Sequence, residues 1–211
     1  MMKLRYDDLR QYSDVLRSRR GEGVTVRFVE PRDGEELQSY FRSLSTRSRY
    51  NRFLGAMSEL PAPVLDRFTH VSEAAGFTVV ATMMIGGFET IVGESRYVFH
   101  PATESFEFGI SIDDRWQGHG IGAALLNNLE CRAAAFGAQT LFGDTLRSNN
   151  GMMSLARKSG YAFVNHPDDW KLVRFEKPIN LAPKDIPCAS WRIAAASREV
   201  AALAGRPFSF P

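Results

Sequence analysis

The chain of 211 residues has two cysteines, four histidines and almost no net charge, with 26 Lys and Arg against 24 Asp and Glu. Cys131 and Cys188 are too few and too far apart for a disulfide framework or a zinc site, so free thiols are expected. His70, His100 and His166 show no metal-ligand spacing, and no resident metal is expected. No stretch approaches the ~20 apolar residues that a membrane helix needs. Residues 1–20 lack the continuous apolar core of a secretion signal, which makes a cytoplasmic location the expectation. A net charge of +2 points to neither nucleic acid nor an anionic membrane as partner. The stretch Arg10 to Arg20 is locally basic and reads as a solvated helix face, with an interaction arm as the alternative.

What the chain does have is a hydrophobic fraction of 44% and a charged fraction of 24%, the balance of one globular core with terminal extensions. Leu9, Tyr12, Val15 and Leu16 fall at helical spacing, which predicts a helix from Asp7 to Arg19 in an extension over residues 1–23. The domain proper is expected over 24–178. It opens with a strand, Val24 to Val29, and two helices, one after Pro31 carrying Leu37 to Leu44 and one after the Pro61 to Pro63 breaker. A hairpin follows, Phe77 to Ile85 and Thr90 to Phe99 around Gly86-Gly87. Ser105 to Ile112 alternates strictly: Phe106, Phe108, Ile110 and Ile112 share one face, and Glu107, Gly109 and Ser111 the other. From Gly120 to Phe136 the period becomes helical, with Ile121, Leu125, Leu129 and Ala133 in one stripe. Strands at Gln139 to Thr145, Tyr161 to Val164 and Lys171 to Glu176, with a helix at Gly151 to Lys158, complete the order β-α-α-β-β-β-α-β-α-β-β. A C-terminal extension, residues 179–211, carries one more helix, Ala189 to Leu203, free to dock on its own domain or on a second subunit.

Between the clearest strand and the clearest helix lies Gln117-Gly118-His119-Gly120-Ile121-Gly122. A helix N-terminus offers unpaired amides and a positive dipole end, and glycines let a phosphate approach the backbone. Two templates compete for this loop. Gly118-x-Gly120-x-x-Ala123, with Asp144 after the next strand, matches a dinucleotide fingerprint, but it follows an antiparallel meander with too little chain left for repeated parallel units. Gln/Arg-x-x-Gly-x-Gly/Ala is satisfied at every fixed position. A third possibility is a glycine-rich turn with no ligand.

The loop, its flanking strand and helix, and the element order together resemble the GNAT superfamily of N-acetyltransferases over about Val24 to Lys177. A second stretch, Thr145 to Asn149, then Met152-Met153, Leu155-Ala156 and Gly160-Tyr161, looks like that family's later motif. Tyr50 to Phe53, Arg67 to His70 and Glu107 ten positions before Gln117 resemble the catalytic domain of bacterial Pat-type protein lysine acetyltransferases. The resemblance implies a mixed α/β (α+β) sheet that splays between strands four and five of the expected order, and acetyl-CoA as acyl donor. Gln117, Gly118, His119, Gly120, Ile121 and Gly122 would then grip the pyrophosphate. Pantetheine would lie along Ile110, Ser111 and Ile112, with Asn149 beside it. Asn149 is equally well explained as an N-cap.

Acyl transfer to an amine needs a neutral nucleophile, and an ammonium with a pKa of about 10.4 is protonated at neutral pH. Glu107 is the candidate base, directly or through a water, against the alternative of an ordinary exposed strand carboxylate. A backbone amide of its strand, at Ile110, is the candidate oxyanion donor. The Tyr that in this superfamily often protonates the departing thiolate, seven residues after the Asn, is here Ala156, which leaves the acid unassigned. That absence keeps a CoA-binding regulatory module without turnover as the alternative function. The acceptor, a protein lysine or a small-molecule amine, would be met by residues 47–60 and 165–170, where Arg47, Arg49 and Arg52 or Asp168 and Asp169 supply charge.

Overall fold

A computed structural model describes residues 12–70, 76–100 and 102–204, with side chains to residue 197. Eight strands form one sheet: β1 (Asp14–Arg17), β2 (Gly23–Phe28), β3 (Phe77–Ile85), β4 (Phe88–His100), β5 (Ser105–Ile112), β6 (Thr140–Leu146), β7 (Ala162–Asn165) and β8 (Leu172–Pro178), in the spatial order β1-β2-β3-β4-β5-β6-β8-β7. Six α-helices are seen among the described residues: α1 (Gly34–Ser43), α2 (Thr46–Phe53), α3 (Ala62–Thr69), α4 (Ile121–Ala135), α5 (Asn150–Lys158) and α6 (Ala189–Ala204). Every neighbouring pair is antiparallel except β5 with β6. One parallel pair cannot make a doubly wound sheet, so the dinucleotide reading of the loop fails on topology.

The alternation of β5 divides the core in two. Phe106 and Phe108 point to the face covered by α4, whose Ile121, Leu125 and Leu129 pack with Phe77 and Tyr97. On the opposite face, which carries Glu107 and Ser111, Leu37 and Phe41 of α1 and Phe68 of α3 pack on Val80 and Ile91. α2, which packs against β5 and β6, is not among the expected elements. It buries none of its residues, so no apolar stripe signals it. Its start is set instead by Ser45, whose hydroxyl caps the Ser48 amide at 3.2 Å.

The N-terminal extension departs from the expected helix. Its residues before Tyr12 lie outside those described, and Asp14–Arg17 is a strand paired antiparallel with β2. Tyr12, Val15 and Leu16 suit either period. The pairing is decided by tertiary partners: Tyr12 and Leu16 pack on the core while Val15 is exposed. From residue 14 on, the basic run is therefore the outer arm and turn of a hairpin and not a helix face.

The cysteines depart as well. Cys131 on α4 and Cys188, just before α6, are joined in a disulfide with Cα atoms 6.1 Å apart, so they are not free thiols. They meet because α6 docks on α4 of its own chain. Trp191 of α6 stacks on Tyr12 and lies against Phe28 and Phe136. Beneath it the guanidinium of Arg132, with no exposed surface, sits 4.4 Å from the Trp191 ring and 4.6 Å from that of Phe28. No helix among the described residues is long and apolar enough to cross a membrane.

Candidate active site

The glycine loop joins β5 to α4. Gly118 and Gly120 take φ of +79° and +87°, the left-handed region that a side chain disfavours. Above Gly118 the space is open, with no atom within 4 Å of where a Cβ would stand. Gly120 is the N-cap of α4, and no side chain caps that helix, which leaves its first amides facing outward as an anion site requires. His119 contributes a buried Nδ1 with no partner. The loop is fastened at its base. Asp114 accepts from the Ser45 amide and hydroxyl, both at 2.8 Å, and from the Ser48 hydroxyl at 2.7 Å. Gln117 Nε2 donates to the Ile112 carbonyl at 3.0 Å. Burial alone would push the Asp114 carboxyl up, but these donors outweigh it and hold it below the usual carboxylate range.

β5 opens away from β6 directly below this loop. Their parallel register holds for Ser105, Phe106 and Glu107, the last opposite Phe142, and then ends. Gly143 marks the hinge of the opening. A Cβ there would stand 2.8 Å from the Phe108 carbonyl oxygen, so the strands still touch at that point. The Asp113 amide donates to Val92 O at 2.9 Å and Gly93 lies opposite Ile112. This register turns the backbone of Glu107, Gly109 and Ser111 toward β4, and that of Ile110 and Ile112 toward the gap.

On the Glu107 face the side chain is half-exposed, and His100 Nε2 lies 3.1 Å from its Oε2. Arg174 is close enough for its charge to interact with Glu107, while it is held by Asp144 through bonds of 2.9 and 2.8 Å. Two residues along, a buried network begins. Arg52 reaches over Gly109, where a Cβ would stand 2.5 Å from its Nη1. Its Nε bonds Glu94 Oε1 at 2.5 Å and its Nη2 bonds Oε2 at 3.2 Å. Ser111 donates to the same Glu94 oxygen at 2.7 Å, and its hydroxyl lies 2.9 Å from Tyr40 Oη. Burial would lower the Arg52 pKa, but Glu94 more than offsets it and keeps the guanidinium charged. Burial and the Glu94 charge push the Tyr40 phenol well up.

Residues 39–161 match the model of the acetyltransferase (GNAT) family, which is more than half of the chain. The chain belongs to the GNAT family. It is 28% identical over 149 residues to an acetyltransferase of Pseudomonas aeruginosa, covering 71% of this chain and 80% of that one. Its structure is similar to the GNAT domain of S. lividans PAT, with a TM-score of 0.72 and 26% identity over 80% of this chain and 97% of that chain. A cAMP-binding acyltransferase from Mycobacterium smegmatis shares the fold, with a TM-score of 0.57 and 23% identity, and this chain spans 59% of it. The protein is thus an acyltransferase of the GNAT type, and acetyl-CoA is its acyl donor.

The residues present fit that coenzyme. The uncapped start of α4 and the open space over Gly118 suit phosphates, and the unzipped edge at Ile110 suits an extended amide-bearing arm. Gln117, Gly118, His119, Gly120, Ile121 and Gly122 form one loop, and Ile112 adjoins it. Ser111 is turned elsewhere: its hydroxyl serves Glu94 and its backbone serves β4. Asn149 caps α5, accepting from the Met152 amide at 3.2 Å and donating to Thr145 at 3.1 Å. Ala156 is fully buried, so no acid stands at that position. Tyr161 is core, packed on Phe108 and Phe175, and burial pushes its phenol far up. Of the arginines expected to meet an acceptor, Arg49 donates to the Arg42 and Leu44 carbonyls and Arg52 to Glu94. The Asp168 and Asp169 amides both turn onto His166 Nδ1. Sequence reasoning missed Glu94, Tyr40 and His100. Only the alternation of the β4–β5 hairpin, which sets Glu94 opposite Ser111 and His100 near Glu107, carried a trace of them.

Proposed function

We propose that this chain transfers the acetyl group of acetyl-CoA to a primary amine, by direct attack in a ternary complex. The observation that carries the reading is the break in the β5–β6 register just beyond Glu107, directly below the uncapped glycine loop. Amides of residues 117–122 would hold the pyrophosphate, and the edge at Ile110 and Ile112 would pair with the pantetheine arm. Acetyl-CoA supplies a thioester whose thiolate, with a thiol pKa of about 8.5, leaves without a dedicated acid. Ala156 supplies no acid, and solvent or the proton of the incoming amine serves the thiolate instead.

Glu107 takes the proton from the incoming ammonium, directly or through a water, and its half-exposed side chain is open to an acceptor. The Ile110 amide, facing the gap, is positioned to donate to the oxygen that gains charge as the amine attacks. Arg52, bonded to Glu94 and lying over Gly109, closes the face next to the base against solvent. The similarity to the GNAT domain of S. lividans PAT and the open approach to Glu107 support a lysine side chain on a protein or peptide as acceptor. The test is thiol release from acetyl-CoA with lysine peptides, polyamines and amino acids, for the unmodified chain and for Glu107→Gln. We expect Glu107→Gln to lower kcat by about 10² or more with coenzyme binding unchanged. Full activity in that variant would remove Glu107 from the role. Coenzyme binding without turnover on any amine would favour a regulatory module.

A further inference from the structure

Arg19, in the basic run at the end of the N-terminal extension, lies on the glycine loop. β1 and β2 are joined by a tight turn in which the Ser18 amide bonds Glu22 O at 2.9 Å and Gly21 takes φ +85°. This turn sits at the end of the sheet where β5 runs into the glycine loop. There the Arg19 amide donates to the His119 carbonyl at 2.7 Å. The Arg19 stem crosses Gly120: a Cβ on that glycine would stand 2.8 Å from Arg19 Cγ and 3.4 Å from Cδ. The absence of a side chain at Gly120 therefore makes room for Arg19 as well as for a ligand. The Arg19 side chain is exposed, and among the described residues no carboxylate is paired with it. Arg27, Arg52, Arg115 and Arg174, by contrast, all hold acids. The two acids at the base of the loop are already engaged, Asp113 by Arg115 at 2.7 Å and Asp114 by Ser45 and Ser48. A guanidinium whose backbone is tied to the loop and whose stem lies beside an uncapped helix start is within reach of a phosphate there, and its fork matches phosphate oxygens.

We propose that Arg19 binds a phosphate of the coenzyme, so that the extension before the family-matched region completes the coenzyme site. This rests on the reading of residues 117–122 as the pyrophosphate loop. The test is calorimetric titration of the full chain and of its Arg19→Gln and Arg19→Lys variants with CoA and with dephospho-CoA, at low and high salt. Arg19→Gln is expected to weaken CoA about tenfold at low salt and to leave the ligand-free unfolding midpoint unchanged, with Arg19→Lys in between. A difference that vanishes with dephospho-CoA assigns Arg19 to the 3′-phosphate, and one that persists assigns it to the pyrophosphate. Unchanged affinity in Arg19→Gln, or a loss that Arg19→Lys does not partly restore, overturns the proposal. Failure of the unmodified chain to bind CoA would instead overturn the loop reading beneath it.

Discussion

The Arg52–Glu94 pair is the most exacting feature of the Glu107 face, because its two members differ in access to water. The Glu94 side chain has no exposed surface and that of Arg52 has 12%. Their bonds of 2.5 and 3.2 Å, with the Ser111 hydroxyl at 2.7 Å, satisfy the carboxylate. Arg52→Met strands a carboxylate that has no route to solvent, and the cost of breaking such a pair is about 3–5 kcal/mol. Ser111 remains as a donor, which places the expectation toward the lower end, ~3 kcal/mol. Glu94→Gln strands a guanidinium that can shift toward solvent, and the Gln oxygen still accepts from Arg52 and Ser111, so ~2 kcal/mol is expected. Arg52→Met with Glu94→Gln removes both charges together. It is expected to cost less than either single change plus the other, with a coupling of at least ~2 kcal/mol. Urea denaturation of the four proteins at neutral pH measures all of this in one cycle. Additive costs, or an Arg52→Met cost below ~1 kcal/mol, would refute the argument that the pair is desolvated and mutually dependent.

The glycine loop makes a sharper functional prediction. Gly120→Ala places a Cβ 2.8 Å from Arg19 Cγ at a φ of +87°, so a stability cost of ~1–2 kcal/mol and a large loss of CoA-induced thermal shift are expected; an unchanged shift would detach this glycine from binding. Asp33, Asp113 and Asp114 are all held below the usual carboxylate range, because donors and arginines outweigh burial. Their contribution is complete above an unfolded carboxyl pKa of about 3.9 and is lost as pH falls through their lower folded values. The urea midpoint is therefore expected to drop below about pH 4, and less steeply in Asp114→Asn; an identical acid limb in that variant would count against it. Cys131 and Cys188 are 57 residues apart, for which loop-closure entropy gives about 4 kcal/mol as an upper figure. Dithiothreitol should lower the urea midpoint of the unmodified chain and leave that of Cys188→Ser unmoved, and no response to reductant would remove the disulfide from the stability argument.

What could be read from the amino-acid order was whatever is dictated locally. The strand Ser105–Ile112 shows its two faces because alternation is a property of the strand itself, and α4 shows its stripe because Ile121, Leu125 and Leu129 all reach one core. The loop is legible because Gly118 and Gly120 are demanded by backbone conformation. α2 was silent because none of its residues is fully buried and Phe53 alone brings an apolar ring to the core, and β1 was misread because three apolar residues fit two periods. The partnerships that dress the site join residues far apart in sequence: Arg52 with Glu94, Tyr40 with Ser111, and Cys131 with Cys188. No local pattern encodes such contacts, since each exists only once the sheet has brought its elements together.

The same logic ties the two extensions to the site. Asp14 of β1 accepts from Trp191 Nε1 at 3.0 Å, from Ser190 at 3.2 Å and from Asn128 at 2.5 Å, and lies 3.5 Å from Arg132. One carboxylate thus joins the first strand, the helix after the glycine loop and the last helix. Arg132, fully buried, also donates to the Tyr12 carbonyl at 3.2 Å and lies between two aromatic faces. A cation in that position requires both extensions, because each supplies part of what replaces its water. β1 is therefore positioned by the C-terminal helix as much as by β2. The turn that carries Arg19 onto Gly120 inherits that positioning, so the C-terminal helix bears on the glycine loop through a buried charge.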